Sequence, residues 1–222
     1  MGQTILTPHQ TQFLELVGKE PDLVKNYYFT GGTALTEYYL KHRLSDDIDL
    51  FSQHKEVDQT QIEIFLKKVS PILGVKEISK SQFLGLFNYY LHFKDDSNLK
   101  IDFNYYPFPR IQSGLKDQNI QIDSMYDIAA NKIQTIFTKA RSRDYIDLYF
   151  IYQKKHFDLK QLLIATKTKF GWPIDPLGLA SQFLRAGELG DEPKMILPYN
   201  KEDMIIFYQT LAGELKDNIF QK

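Results

Sequence analysis

Hydrophobic and polar residues follow two different periods along the first half of the chain. Apolar residues three or four positions apart predict helices, whereas short aromatic runs and strict alternation predict strands. The elements predicted in this way are, in chain order, a helix over residues 8–20, a strand over 26–30, a helix over 33–40, a strand over 47–51, a helix over 58–69, and strands over 75–79, 84–93, 99–105 and 120–122. The polar segment 95–98 predicts a hairpin turn between the last two long strands.

The pattern changes to helical periodicity after the last of these strands. Ser124, with Asp127 three residues later, is typical of a capping-box start, and the remaining chain is predicted to be helical apart from loops. We therefore expect an α+β fold: a small mixed sheet with flanking helices over 1–122, and a helical lobe over 123–222. A ligand is expected in a cleft that the second lobe completes.

Composition limits the classes of protein that remain. The 222 residues are 43% hydrophobic, enough for a real core, and the formal net charge of -1 argues against a generally basic nucleic-acid coat. The absence of Cys excludes disulfides, zinc–thiolate sites and Cys nucleophiles. No stretch has the length or hydropathy of a membrane span or signal peptide, so we expect a cytoplasmic protein without a membrane partner.

A glycine pair lies where the chain passes from a predicted strand to a predicted helix. Gly31 and Gly32 allow positive φ and a close approach of the backbone to a ligand, and Thr33 is predicted to cap the helix that follows. Backbone N–H groups in such a turn suit a phosphate group. The alternative is a tight strand–helix turn with no ligand.

Three aspartates on predicted strands are candidate metal ligands. Asp47 and Asp49 are two residues apart on one strand, so both side chains project from the same face, about 7 Å apart. A hard divalent cation such as Mg²⁺ would relieve the repulsion between their charges. Asp102, between Ile101 and Phe103 on a later strand, needs a partner and would complete a three-carboxylate cluster if the two strands are neighbours. The alternatives are a solvated acidic edge and a structural aspartate.

The segment 132–147 combines cations with acidic residues on an apolar surface. On one continuous helix, Lys132, Lys139 and Arg143 would form a single cationic stripe, while Asp144 and Asp147 would lie in the apolar sector. A buried carboxylate requires a cation or hydrogen-bond donors. These features suit a site that binds phosphates, although a solvated surface helix with charge pairs would show the same pattern.

Taken together, the motifs resemble one family, the AbiEii-like toxins among the DNA polymerase β-type nucleotidyltransferases. The resemblance spans residues 26 to about 150 and rests on the motifs Gly31-Gly32-Thr33-Ala34-Leu35, Arg43-x-Ser45-x-Asp47-Ile48-Asp49-Leu50-Phe51, Lys132 and Arg143-Asp144-x-x-Asp147-Leu148. It implies metal ligands at Asp47, Asp49 and, less directly, Asp102. It further implies that the nucleotide phosphates are held by Gly31, Gly32, Thr33, Lys132 and Arg143, and that Asp144 is an essential acidic residue.

The resemblance also implies an activity. We expect a nucleotidyltransferase that uses Mg²⁺ or Mn²⁺ to transfer a nucleotide from an NTP to an acceptor hydroxyl, with Asp102 as the candidate general base. The acceptor would be tRNA or another RNA, and a cognate antitoxin would counter this toxin or phage-defence effector. Nine Lys and Arg against three Asp over 132–169 favour RNA binding, as does the stacking potential of Tyr145, Tyr149 and Tyr152. Two alternatives remain: a non-catalytic nucleotide- or partner-binding module, and nucleotidylation of a small molecule or protein.

Overall fold

A computed structural model describes residues 4–83, 85–188 and 190–216. The chain divides into two compact units. The first contains Met1–Tyr39, Ser45–Pro109 and Ser113–Ser124. The second contains Met125–Lys222 together with two short segments from the first half of the chain, Leu40–Leu44 and Arg110–Gln112.

The first unit is built on a mixed sheet. Its strands are β1 (Tyr28–Thr30), β2 (Asp47–Ser52), β3 (Val75–Phe83), β4 (Leu86–Phe93), β5 (Asn98–Tyr105), β6 (Lys116–Asp117) and β7 (Ile120–Ile122). Within the described residues they lie in the order β3-β4-β5-β2-β1-β7-β6. β2 pairs antiparallel with β1 and parallel with β5, so it lies in the middle of the sheet.

The helices of this unit are α1 (Pro8–Gly18), α2 (Pro21–Asn26), α3 (Gly31–Leu35) and α4 (Gln59–Leu73), and α3 continues into a π-helical turn over Thr36–Leu40. α1 begins with a capping box between Thr7 and Gln10. The hydrophobic core contains Ile48 and Leu50 of β2, Phe13 of α1 and Phe65 of α4. Because alternate residues of β2 are buried in this core, its other residues project from the opposite face of the sheet.

Most of the elements predicted in the first half are confirmed, including the hairpin turn over 95–98, where Asp96 has a φ of 61°. Leu84, predicted to start a strand, lies outside the described residues. The predicted cap at Thr33 is wrong: the helix begins at Gly31, and Thr30 is its N-cap residue. The strand predicted over 26–30 is shorter because the unpredicted α2 extends to Asn26.

The second unit is helical. Its helices are α5 (Met125–Lys139), α6 (Ser142–Lys154), α7 (Leu159–Phe170), α8 (Pro176–Leu184) and α9 (Lys201–Glu214). The predicted continuous helix over 132–147 is wrong, because Arg141 has an extended backbone, with φ at -128° and ψ at 154°, and serves as the N-cap residue of α6. Lys132, Lys139 and Arg143 therefore belong to two helices and do not share the predicted stripe.

Both units together give the α+β class that the sequence predicts, with the sheet in the first unit and the helical lobe in the second. Across the described ranges, no helix has both the length and the hydropathy needed to cross a membrane.

Candidate functional site

The acidic residues of β2 lie beside two further polar residues of β5. Asp47 is in register with Lys100, and Asp49 is in register with Asp102, on parallel neighbouring strands. Residues in register on neighbouring strands project from the same face of a sheet, so these four side chains share one face. The condition set in the sequence-based prediction, that the two acidic strands are neighbours, is therefore met.

Asp102 is the most buried of these carboxylates, with 8% of its surface exposed. Asn88 Nδ2 donates a hydrogen bond of 2.5 Å to Asp102 Oδ1, and Lys100 Nζ lies 2.6 Å from Asp102 Oδ2. The prediction that this aspartate needs a partner is confirmed, since both of its oxygens accept hydrogen bonds. Because both oxygens already accept hydrogen bonds, the contacts of Asp102 suit a residue that positions its neighbours, and its predicted role as general base stays a prediction.

Lys100 also contacts the carboxylate of Asp47, its Nζ lying 3.4 Å from Asp47 Oδ2. Desolvation by burial lowers the pKa of Lys100, but the carboxylates of Asp102, Asp47 and Asp49 raise it, and the net pKa is above its ordinary value. The ammonium is therefore a permanent positive charge on the acidic face of the sheet. Lys100 is a site residue that was not predicted from the sequence.

The side chains on this face are of the kind that bind a divalent cation, although they do not form a ready-made metal site. In the part of the chain that the structure describes, no group of three His, Cys, Asp or Glu side chains is arranged to hold a metal ion. Asp47 and Asp49 nevertheless offer hard carboxylate oxygens on a partly exposed strand face, and hard cations prefer such ligands. The three-carboxylate metal site with Asp102 stays a prediction.

Gly31 packs directly against Asp49. Its φ of +76° lies in the left-handed region, which side chains with a Cβ rarely adopt, and an added Cβ would lie 2.7 Å from Asp49 Cγ. A glycine is therefore required here for both its conformation and its small size. The sequence predicted that glycine lets the backbone approach a ligand closely. In the structure, the group that the Gly31 backbone approaches is the carboxylate of Asp49.

Gly31→Ala is expected to reduce the nucleotide transfer predicted from the sequence by at least about 100-fold. The substitution adds left-handed strain of about 1–2 kcal/mol and displaces the Asp49 carboxylate. Urea unfolding measures the cost of the strain, and initial rates with labelled NTP measure the effect of displacing the carboxylate. Gly74→Ala is the matched control, because Gly74 also has a positive φ of +73° but no atom lies within 4 Å of its added Cβ. Equal activity in both variants would contradict the proposed contact.

Thr33 fixes the loop that leads into β2. Its hydroxyl is buried, donates to the backbone carbonyl oxygen of Asp47 and lies 2.8 Å from Ser45 Oγ. The side chain predicted to cap a helix therefore holds the start of the acidic strand in place. The predicted contact of Thr33 with a triphosphate stays a prediction.

The second unit holds a buried network of charged side chains. Lys132 Nζ lies 2.8 Å from Asp144 Oδ1 and 2.6 Å from Asp147 Oδ2. Arg43 donates two hydrogen bonds to Asp147, of 2.7 Å from Nε and 2.8 Å from Nη2. Arg141 Nε donates a hydrogen bond of 2.9 Å to Asp144 Oδ2. His42 Nε2 is also 2.9 Å from Asp147 Oδ1.

This network keeps two fully buried carboxylates ionised. Burial raises the pKa of Asp147, but the charges of Lys132 and Arg43 and the hydrogen bonds from Arg43 and His42 outweigh it and hold that pKa well below its ordinary value. Burial likewise raises the pKa of Asp144, and Lys132 and Arg141 lower it further than burial raises it. The expectation that these aspartates are buried and need cations is confirmed.

Acid is expected to destabilise the protein through this network. A carboxylate with a depressed native pKa adds stability at pH values above its unfolded pKa of about 3.9, and this stability is lost as the pH falls below about 4. We expect the free energy of unfolding to fall more steeply between pH 4.5 and 3 in the wild type than in Asp144→Asn, which removes one of these groups. Urea titrations across this range measure the two slopes, and parallel slopes would contradict the role given to Asp144.

Arg143, the other residue of this segment that was predicted to hold nucleotide phosphates, lies near Asp191. Arg143 is partly buried, and its positive charge contributes to lowering the pKa of Asp191, although the main cause is a hydrogen bond from the Ser142 side chain. Asp144 forms its ion pairs with Lys132 and Arg141. Arg141 was missed as a partner because the predicted unbroken helix did not show that an extended residue precedes α6. The contact of Arg143 with nucleotide stays a prediction.

The two groups of residues, on the sheet and in the helical unit, both lie within one family match. A family model described as "Nucleotidyl transferase AbiEii toxin, Type IV TA system" matches residues 16–214, which is most of the chain. The chain belongs to the AbiEii nucleotidyltransferase toxin family. It is therefore a nucleotidyltransferase with an NTP as substrate, and the family resemblance drawn from the sequence motifs is confirmed.

Other proteins resemble this AbiEii family member along much of their length. An uncharacterised protein of Aquifex aeolicus (strain VF5) is 30% identical over 151 residues, which are 67% of this chain and 68% of that protein. The crystal structure of JHP933 from Helicobacter pylori has a TM-score of 0.59 at 21% identity and covers 95% of this chain and 91% of its own. A candidate nucleotidyltransferase of H. pylori has a TM-score of 0.60 at 20% identity, covering 96% and 97%. At such low identity these two structures show the fold alone.

Proposed function

We propose that this nucleotidyltransferase requires Mg²⁺ or Mn²⁺ and transfers a nucleotide from an NTP to a hydroxyl group of RNA, with tRNA as the first candidate acceptor. We further propose that it acts as a toxin or phage-defence effector that a cognate antitoxin counteracts. The observation that carries the proposal is the packing of Gly31 against Asp49, beside Asp47 on the same face of β2. This arrangement combines candidate metal ligands with a glycine turn suited to phosphate.

In the proposed reaction, Asp47 and Asp49 would hold the cation, and the backbone of Gly31, Gly32 and Thr33 would hold the triphosphate. The bound cation supplies charge neutralisation at the phosphates and activation of the attacking hydroxyl. The acceptor hydroxyl oxygen would form a bond to the α-phosphorus while its proton passes to solvent water, and the bond from the α-phosphorus to the pyrophosphate oxygen would break, so that pyrophosphate leaves. The contribution of Lys132 and Arg143 to binding of the nucleotide phosphates stays a prediction from the family resemblance.

The charges of the second unit support an affinity for phosphate. Lys132, Arg43 and Arg141 supply three permanent positive charges, whereas Asp144 and Asp147 supply two negative ones. These five side chains therefore keep one positive charge in excess. We propose that Asp144 acts as a positioning residue that orients Lys132 through its hydrogen bond of 2.8 Å.

Burial changes which residues are available for RNA. Lys139, Arg141, Lys154, Lys155, Lys160 and Lys167 are exposed. Lys169, by contrast, is 2% exposed and pairs with Asp127. The proposed stacking role of Tyr145, Tyr149 and Tyr152 is wrong, because all three side chains are buried. The proposed RNA contact is therefore electrostatic, and its affinity should fall steeply as salt rises.

The test is transfer of label from each NTP in turn, with Mg²⁺, to either total tRNA or a mixture of metabolites. The proposal expects label in RNA, lost when EDTA is added and absent from the Asp47→Asn/Asp49→Asn double variant. Label confined to small molecules or to protein would favour the alternative acceptors. NTP binding without label transfer to any acceptor would favour the non-catalytic module.

A further inference from the structure

A single lysine stands among the three aspartates of the sheet face. Lys100 is in register with Asp47 and two residues before Asp102, so all of these side chains project from the same face. Its Nζ is 2.6 Å from Asp102 Oδ2 and 3.4 Å from Asp47 Oδ2, and its side chain is 29% exposed. Asp49 contributes to the same electrostatic environment of the ammonium.

The two aspartates in contact with Lys100 differ in how completely they are bound. One carboxylate oxygen of Asp102 pairs with Lys100 and the other accepts a hydrogen bond from Asn88. Only 11% of the Asp102 side chain is exposed. The Asp47 side chain is three times as exposed, at 33%, and its contact with the ammonium is longer by 0.8 Å. Asp102, which accepts a hydrogen bond from Asn88, thus anchors the lysine, while Asp47 is the carboxylate that another cation can reach.

The geometry points to a regulatory role for this lysine: we propose that Lys100 is an internal counter-ion that competes with the divalent cation for Asp47 and thereby sets the metal affinity of the site. The inference rests on the proposed metal-dependent function. An ammonium and a divalent cation both require the same carboxylate oxygens, and their positive charges repel each other at this range. Asp102 then acts as a positioning residue for Lys100 rather than as the third metal ligand.

Lys100→Met tests this competition directly, with MnCl₂ as the probe and no nucleotide present. Electron paramagnetic resonance of free Mn²⁺ measures the dissociation constant. We expect binding to tighten by about tenfold or more when the competing charge is removed. Lys100→Arg keeps the charge and should remain near the wild-type value. Lys80→Met is the matched control, because Lys80 pairs with Glu63 at 2.6 Å elsewhere in the same sheet unit.

If Lys100→Met is too unstable for a binding titration, the effect of Mn²⁺ on its melting temperature is the second measurement. Three carboxylates without their lysine repel one another, so Mn²⁺ should raise the Tm of Lys100→Met more than that of the wild type. Lys100→Gln is an alternative variant with a polar side chain. Adding Asp47→Asn to Lys100→Met should abolish the gain in Mn²⁺ affinity.

Unchanged or weaker Mn²⁺ binding in Lys100→Met and Lys100→Gln would overturn the inference. This result is distinct from failure of the proposed function, which is measured separately as label transfer by the wild type. Active wild-type enzyme with no change in Mn²⁺ affinity would refute the counter-ion alone. Tighter Mn²⁺ binding without label transfer would support the counter-ion and refute the proposed reaction.

Discussion

Asp49→Asn is expected to reduce the rate of nucleotide transfer by about 10³-fold while the fold is retained. The amide keeps the shape of the side chain, so the contact with Gly31 remains sterically possible. It removes the negative charge with which the residue would bind a divalent cation, and metal stabilisation of a transition state is worth several kcal/mol. Initial rates of label transfer from NTP measure the loss.

The matched control is Asp46→Asn, which neutralises an exposed aspartate just before the same strand. Its rate should remain within about twofold of wild type, because a single exposed charge contributes little. Circular dichroism and a thermal melt check that both variants are folded. A rate for Asp49→Asn above about a tenth of wild type would show that the carboxylate is not part of the reaction site.

The acidic strand could be predicted from the sequence because its pattern has a simple physical cause. Ile48 and Leu50 must enter the core, so Asp47 and Asp49 must project from the other face. The neighbouring position of β5 was a conditional prediction, since alternation within one strand does not identify its partner. The register that places Asp49 beside Asp102 became visible only in the structure. Lys100 could have been found, because it is two residues before Asp102 on the same strand.

The buried network of the helical unit could be predicted only in part. Helical spacing indicated that Asp144 and Asp147 were buried and required cations. It could not identify Arg43 as a partner of Asp147, because 104 residues separate them in the chain. The break before α6 was also missed, since no Pro or Gly marks it and Arg141 becomes extended to cap the helix. Periodicity predicts burial within one element but carries no information on contacts between distant segments.

Asp147→Ala is expected to reduce the free energy of unfolding by about 3–5 kcal/mol, the usual cost of leaving buried charges unpaired. Asp147 is fully buried and accepts hydrogen bonds from Arg43 through both oxygens, besides its contact with Lys132. Its removal leaves the Arg43 guanidinium buried without this carboxylate, whereas Lys132 keeps Asp144. Urea unfolding, followed by far-ultraviolet circular dichroism, measures the change.

The matched control is Asp158→Ala, which removes an aspartate from the surface of the same unit. Asp158 caps α7 by accepting a hydrogen bond of 2.7 Å from the backbone N–H of Gln161, and loss of such a cap costs about 1 kcal/mol. If Asp147→Ala is too unstable to purify, Asp147→Asn still removes the charge but keeps a hydrogen-bond acceptor, and should lose less stability than the alanine variant. A loss below about 1 kcal/mol in Asp147→Ala, no greater than that of the surface control, would mean that Arg43 and Lys132 find other partners and that Asp147 does not hold them.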